Sequence, residues 1–369
     1  MISVARKNLL HEKGRFMISI GGVAFSVMLI LVLLGLYRGW DEKLTEYVTT
    51  VDADLWVVQN GAADMFHSPS IITDATTDRV RATAGVTDLA KLYGVRVGFD
   101  LNGKEAHTMI MGYDTTRGVG GPKKVVEGKS TPERGDIIID EVFAFKEDLA
   151  VNDELTILDK TFRIAGISTG GNLVSFQYAF MTQDDAAELL KMPGLTNYLL
   201  LDLKNANDAD EIITTLEEQN PDIMVLTKPE FGVKNERLIT ETFLPIIQVL
   251  VGIGFIVGLV VISLTIYTAT IEKAREYGVI KAIGARNRHL YRIIFEQSAI
   301  AGLAGFALGS VLTLAASVVA KRFEPSFITS YAWQDVAMVF GAAVLMIIGS
   351  AYIPIRRILS IDPAIVFKS

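Results

Sequence analysis

The sequence predicts a membrane protein of four transmembrane α-helices with an α+β extracytoplasmic domain inserted between helices one and two. Three observations lead there. Half of the 369 residues are apolar and only 21% are charged, and the mean hydropathy is +0.36, values that a soluble enzyme of this length seldom reaches. Four stretches carry no charge: Met17–Tyr37 of 21 residues, Phe243–Thr270 of 28, Gln297–Ala320 of 24 and Val336–Ile355 of 20. Each can cross about 30 Å of hydrocarbon at about 1.5 Å per residue. Between the first two lies a long insertion in which short apolar runs alternate with turn residues, the pattern of a small folded domain.

Taken in order, residues 1–16 form a cytosolic amphipathic segment, and 17–37 the first span. That span leaves through Tyr37, Arg38, Gly39 and Trp40 with no small-residue cleavage site, so it reads as an uncleaved anchor. The insertion, 38–242, holds strand patterns at Asp54–Val58, Leu89–Val97, Thr108–Tyr113, Asp136–Ile139, Leu155–Leu158, Phe162–Ile167, Gln177–Met181, Tyr198–Leu203 and Ile223–Leu226. Helical patterns fall at Asp74–Thr83, Gln183–Lys191 and Asp208–Gln219. The glycine runs Gly118–Pro122 and Gly170–Gly171 are loops and candidate boundaries between two subdomains. The chain has no cysteine, so the domain holds without disulfides, which fits a bacterial envelope.

Thr227, Pro229 and Glu230 make a capping box with proline in the first turn. A stalk helix starts there, over 229–242, and runs on through the second span, 243–270, toward Glu276. Pro245 cannot donate to the carbonyl of Glu241, and its ring crowds that turn, so a kink or hinge is expected at Pro245. Gly254 and Gly258 on the second span, and Gly302, Gly305 and Gly309 on the third, allow close helix approach; contacts within one copy and between two copies are both compatible with the spacing. The third span is 293–320, followed by an outer loop at 321–332, a fourth span at 333–355 and a cytosolic tail at 356–369. Tyr37, Trp40, Tyr331 and Trp333 fall where interface aromatics belong.

Orientation follows the Lys/Arg bias. Arg6, Lys7, Lys13 and Arg15 precede the first span; Lys273, Arg275, Lys281, Arg286, Arg288 and Arg292 lie between the second and third; Arg356, Arg357 and Lys368 follow the fourth. All three groups share one side, which places both termini in the cytosol of a bacterial cell and the protein in the cytoplasmic membrane. The segment Arg38–Glu241 then faces outward with a net charge of −15, and the rest sums to +8. The overall acidity is therefore a property of the outer domain, whose reading is solubility.

The cytosolic hairpin 271–292 sets Val279, Ile280, Ala282 and Ile283 between Gly278 and Gly284. The stalk is expected to end near Tyr277, a two-turn segment to cover Gly278–Ala285, and a new helix to begin after Asn287. An apolar knob among charges of both signs suits docking to a cytosolic partner; resting on the lipid interface is the alternative.

The run from Glu272 to Ala285, E-K-A-R-E-Y-G-V-I-K-A-I-G-A, resembles the signature of MacB/FtsX-type ABC transporter permeases. The tail, Pro354, Arg356 and Arg357 leading into Ile361, Asp362, Pro363 and Ala364, is similar to the family's ending, and Arg6, Asn8 and Leu9 before Lys13, Gly14 and Arg15 are similar to its amphipathic start. The resemblance implies a homodimeric permease in contact with membrane lipids and with two copies of a separate ATPase, whose movement the stalk transmits to the outer domain without a wide channel. It makes Gly278, Val279, Ile280, Lys281, Ala282, Ile283, Gly284 and Ala285 the ATPase contact, with Glu272, Arg275 and Glu276 as the supporting turn. ATP would bind the partner: no G-x-x-x-x-G-K-[ST] occurs, the nearest approach being Gly128, Lys129 and Ser130 with Lys at position 123.

No catalytic constellation, intrinsic cofactor or nucleic-acid-binding pattern is read from the chain. His11, His67, His107 and His289 are scattered without metal spacing; His67, near Met65, is a candidate ligand or a solvated loop residue. Compact relatives export haem or glycolipid, and others peptides or lipoproteins. A planar cargo entering between the first two spans would meet Tyr37, Glu46, Tyr47, Phe231 and Phe243, of which Tyr37, Glu46 and Tyr47 could ligate haem iron; belt and packing roles are the alternative. A signal transmitter that activates a cell-wall hydrolase, FtsX-like, is the rival to export.

Overall fold

The computed structural model describes residues 13–359 except 63, 67–69, 174 and 283–284. The described chain divides into two compact units, one built from the chain up to Gly39 together with the chain from Phe243 onward, the other Trp40–Thr242.

The first unit is helical. Helices α1 (Lys13–Thr50), α7 (Leu244–Glu272), α9 (Asn287–Phe323) and α10 (Trp333–Leu359) supply it, with the short α8 (Ala274–Ala282) between α7 and α9. Four of these are long and apolar enough to cross a membrane, over Phe16–Thr50, Leu244–Glu272, Asn287–Phe323 and Trp333–Arg356. Most helices outrun their charge-free stretches because nothing breaks them: α1 contains no proline and continues through Tyr37 and Trp40 to Thr50.

Glycines decide how closely these helices approach. A Cβ at Gly305 would lie 2.5 Å from Val23 Cβ, and one at Gly309 would lie 2.6 Å from the Ala24 carbonyl oxygen, so α9 packs its glycine ridge directly on the backbone of α1. Gly302 receives Ile347 of α10, whose side chain a Cβ there would strike. Gly254 faces Ile30 and Leu29, and Gly258 faces Ser26 and the Met346 sulfur. The glycine motifs left open between one copy and two are thus occupied inside a single chain. Around them Val23, Val27, Ile30, Ile262, Ile266, Ile293, Ile294 and Met346 form one buried cluster.

The second unit is a sheet of ten strands with helices upon it. Its strands are β1 (Leu55–Gln59), β3 (Val86–Leu101), β4 (Lys104–Tyr113), β5 (Lys124–Gly128), β6 (Asp136–Asp140), β7 (Glu154–Ile157), β8 (Lys160–Thr169), β9 (Gln177–Thr182), β11 (Tyr198–Leu203) and β12 (Ile223–Thr227), and a small pair joins β2 (Ile72–Thr73) to β10 (Leu195–Thr196). The order is β12-β1-β11-β3-β4-β9-β6-β8-β5, with β7 on β8. The β4–β9 and β6–β8 pairs are parallel and the rest antiparallel.

Strand β3 joins two lobes. Its first half pairs β11 through Leu92↔Tyr198, and its second half pairs β4 from Tyr93↔Gly112 onward. Leu55, Val57, Leu89, Leu199, Leu201, Ile212, Leu216 and Val225 form the core of one lobe; Tyr93, Val97, Ile110, Ile137, Ile139, Phe162, Ile164 and Met181 form that of the other. The lobe boundary therefore falls inside a strand and not at the glycine loops expected to carry it. Gly118, Gly120 and Gly170 have positive φ and serve as turns, which a chain can make without leaving its lobe.

Every helix expected in this unit forms: α2 (Asp74–Arg81), α4 (Gln183–Leu189) and α5 (Ala209–Gln219), joined by α3 (Glu141–Glu147) and followed by α6 (Lys228–Thr242). Except at α5, where Asp208 makes no side-chain cap, their starts follow capping chemistry. Thr73 Oγ1 accepts from the Thr76 amide at 3.2 Å, and Thr182 Oγ1 from that of Asp185 at 3.1 Å. At α6 the expected capping box closes, with the Thr227 amide and hydroxyl both donating to Glu230 Oε2 at 2.8 Å, satisfying donors that a helix start leaves unpaired.

Candidate coupling lever and outer clamp

The chemistry-bearing segment of the helical unit begins where α7 stops. Lys273 departs from helical geometry (φ −93°, ψ 15°) while its amide still donates to Ala269 and Ile271 carbonyls, and α8 resumes at Ala274. The expected end near Tyr277 is thus four residues late, and Gly278 sits inside α8, not at a cap. Tyr277 explains both. Its side chain is 2% exposed and packs among Ile266, Leu290, Ile293, Ile294 and Ala351, so the helix must turn inward before it and remain helical around it.

One face of α8 is therefore anchored and the opposite face is presented. Gly278 is buried beside the tyrosine, Glu272, Arg275 and Glu276 are exposed, and Lys281 and Ala285 are half-buried. Val279 is 44% exposed, unusual for an apolar side chain beside a buried aromatic. Ile283 and Gly284 lie outside the described residues, as do the side chains of Ile280 and Ala282.

At the other end of the same helices, the loop between α9 and α10 is clamped onto α1. Arg38 Nε and Nη2 donate to the two carboxylate oxygens of Asp335 at 2.6 and 2.8 Å, a bidentate pair of fixed geometry. The Ser330 amide donates to the Gly35 carbonyl at 3.0 Å, Tyr331 and Ser317 share a hydroxyl–hydroxyl bond of 2.6 Å, and Cβ atoms at Gly35 and Gly39 would strike Tyr331 and Ile328. Gly35 and Gly39 are a third G-x-x-x-G, unread in the sequence because its partner is a loop. Tyr331, expected only as an interface aromatic, is the plug that fills it.

The residues expected to meet cargo divide between the units. Tyr37 is half-buried and Phe243 is 37% exposed, both in the helical unit. Phe243 (φ −99°, ψ −33°) separates α6 from α7, and Pro245 occupies the first turn of α7; the stalk is divided into two helices beside the proline where a kink was expected, since the proline lacks the N–H that would bridge them. Glu46, Tyr47 and Phe231 belong to the domain, and the geometry there corrects the expectation. Phe231 is fully buried, 5.1 Å between centroids from Trp56. Tyr47 is buried and its hydroxyl donates to the Gly120 carbonyl at 2.6 Å. Glu46 is engaged by Lys43 at 2.5 Å and Lys123 at 3.0 Å. The Tyr47 and Phe231 rings are thus committed to the domain core, whereas Glu46 is half-buried and held by two lysines.

These three border an aromatic cluster with Trp56, Tyr178, Phe180 and Tyr198. The cluster holds a void of about 20 Å³ lined by Glu46, Tyr47, Lys123, Gly171 and Tyr178, room for a single water. Burial drives the Tyr178 and Tyr198 hydroxyls well above the ordinary phenol range, so both stay neutral. Close by, Asp140 caps α3 with Oδ1 accepting from the Val142 amide at 2.9 Å, while Oδ2 accepts from the Gly171 amide at 2.8 Å. Its desolvation outweighs these bonds and lifts its carboxyl to about 6. Among the described residues no three His, Asp or Glu gather as a metal site.

Four apolar helices, a lever at one end and an inserted α/β domain define a multi-pass membrane permease. Residues 16–219 match the MacB-like periplasmic core domain and residues 248–363 the FtsX-like permease C-terminal domain; the chain belongs to this MacB/FtsX family of ABC transporter permeases. It is 23% identical over 384 residues to an uncharacterized ABC transporter permease of Mycobacterium tuberculosis, covering 100% of this chain and 99% of that one. It is 19% identical over 364 residues, 98% of each chain, to a Staphylococcus epidermidis protein whose name gives it as a hemin transport system permease, HrtB. Among solved structures, the periplasmic region of MacB from Actinobacillus actinomycetemcomitans aligns with a TM-score of 0.38 at 9% identity, covering 49% of this chain and 91% of that one.

Proposed function

We propose that the chain is the permease subunit of an ABC exporter whose ATPase is a separate cytosolic protein, docked on α8. The observation that carries this reading is the anchored lever: Tyr277 is locked in the core of the spanning helices while Arg275, Glu276 and Val279 stand out from it. A partner that moves those three residues moves the packed helices with them. Two copies of the chain with two ATPases would form the working assembly, with α8 and the termini on the cytosolic side of the cell membrane. The Lys/Arg bias supports that orientation.

An amphiphilic, hydrophobic cargo fits best, and haem is the leading member of that class, supported by the likeness to HrtB. With Tyr47 and Phe231 buried in the domain core and Glu46 tied to Lys43 and Lys123, Tyr37 and Phe243 are the cargo contacts retained from the sequence, and Pro245 is the hinge beside them.

The test is tolerance to haem in cells expressing the chain with its ATPase. Tolerance should require an intact phosphate loop in the ATPase and should vanish when residues 274–285 are replaced by a Gly/Ser linker. Tolerance that survives that replacement removes the coupling role; stimulated ATPase activity with no export, together with capture of a cell-wall hydrolase, would favour signal transmission.

A further inference from the structure

Next to the lever the helical unit has a feature that coupling does not use. A basin of about 660 Å³ opens where α9 starts and α10 nears its end. Its rim carries Arg286, Arg288, His289 and Arg292, and its floor is Tyr291, Phe295 and Ile355. Glu296 engages Arg292, with Nε to Oε1 at 2.8 Å. Among the described residues Arg286 and Arg288 have no acidic partner, and both are exposed. Arg286 is also the N-cap of α9 and makes no side-chain capping bond, so the unpaired amides of that first turn add positive potential to the rim.

The floor fixes the level of the basin. Ile355 is the last residue of the charge-free stretch Val336–Ile355, and Phe295 lies two positions before Gln297, where another such stretch begins. Both mark the edge of the hydrocarbon, and the arginines lie one to three turns beyond Phe295. Phe295 is nevertheless 47% exposed, and beside it on α10 the Arg356 guanidinium sits 4.8 Å over the Tyr352 ring, a pairing suited to a membrane surface. An acidic protein surface would answer the rim and leave the floor wet. A phospholipid answers both, since its phosphodiester accepts from guanidinium groups and its chain covers the apolar side chains.

We propose that this basin binds the headgroup of an anionic phospholipid of the cytosolic leaflet, with the upper part of one acyl chain on Phe295 and Ile355. The leaflet assignment rests on the orientation proposed above; the lipid chemistry does not.

The test uses the full chain in nanodiscs of phosphatidylcholine alone or mixed with phosphatidylglycerol, with retained lipid read by native mass spectrometry. The chain is expected to retain phosphatidylglycerol in preference to phosphatidylcholine. Each exposed arginine removed should weaken retention by about fivefold, the factor a basic side chain near an anionic surface supplies: Arg288→Gln once, and Arg286→Gln with Arg288→Gln about twenty-five-fold, while Arg288→Lys stays near wild type. Phe295→Ala should lower retention without altering the charge. Retention unchanged in the double variant overturns the proposal. So does displacement by soluble glycerol phosphate, which would make the basin a free-phosphate site, and so does a double variant that keeps its lipid but loses its ATPase, which would make it a protein contact. Because the chain lacks cysteine, Arg288→Cys labelled by an impermeant maleimide reports the side of the membrane: labelling from outside intact cells would overturn the orientation and leave the nanodisc result standing.

Discussion

At the scale of single residues, the two acids with built surroundings behave oppositely. Asp140 is buried with both oxygens accepting backbone amides, yet desolvation lifts its carboxyl from 3.8 to about 6. The folded state then binds its proton more tightly than the unfolded chain, so stability contributed at this site is greatest below about pH 4 and falls as pH rises through about 6. Asp140→Asn should flatten that segment of the stability profile, read by chemical denaturation across the window; a slope equal to that of the parent would contradict it. Asp335 is held by Arg38 in a bidentate pair. Arg38→Ala leaves that carboxylate mostly buried without its cation, and a loss of about 1.5–3 kcal/mol is expected, the range for hydrogen bonds to charged groups, with recovery in the exchanged pair Arg38→Asp/Asp335→Arg. The capping box at Thr227 and Glu230 was legible in the sequence because its partners are three residues apart. The Arg38–Asp335 pair was not, since 297 positions separate its members.

At the scale of elements, glycine spacing said that helices approach closely but not which ones. One substitution made at two places separates the cases. A Cβ at Gly309 would come within 2.6 Å of the Ala24 carbonyl, a backbone atom that cannot swing aside, whereas at Gly252 nothing lies within 4 Å. Gly309→Ala should lower the melting temperature of the detergent-solubilised chain and Gly252→Ala should leave it unchanged or raise it slightly. The lever makes a similar contrast. Tyr277→Ala empties a buried aromatic site, for which about 3–5 kcal/mol is expected, and should uncouple ATPase activity from export. Val279→Asp, at an exposed position, should weaken copurification of the ATPase with the fold intact. Periodicity located the spans and most of the strands. It missed β5, of which only Val125 is even half-buried, the two-residue strands β2 and β10, and α3, whose apolar residues follow on those of β6 with no glycine or proline between them. The cargo residues misread the domain because an apolar or aromatic side chain near a membrane boundary looks the same in sequence whether it faces lipid or a core.

At the scale of the whole molecule, the outer domain carries its own cores and no cysteine, and the segment Arg38–Glu241 has a net charge of −15 while the rest of the chain carries +8. Excised as Trp40–Thr242, the domain should fold as a soluble, strand-rich monomer with a cooperative thermal transition; an aggregated or unstructured product would show that it depends on the helices. The sequence located this insertion because its charge and periodicity differ from those of the spans. It did not reveal that β3 serves two lobes, since a strand crossing between cores keeps one continuous pattern.

The strand that follows α1 and the strand that precedes α6 are partners, with Leu55 opposite Thr227 and the ladder running from there to Gln59 and Ile223. The chain thus enters and leaves the domain at one end of a single hydrogen-bonded pair. Tension that separates α1 from α6 would peel this ladder open bond by bond, beginning at Leu55 and Thr227, whereas a shared displacement leaves every rung unloaded. The two tethers therefore act as a mechanical fuse: the domain can be carried as one body, whereas drawing its two attachments apart loads this pair together with the Phe231–Trp56 contact beside it.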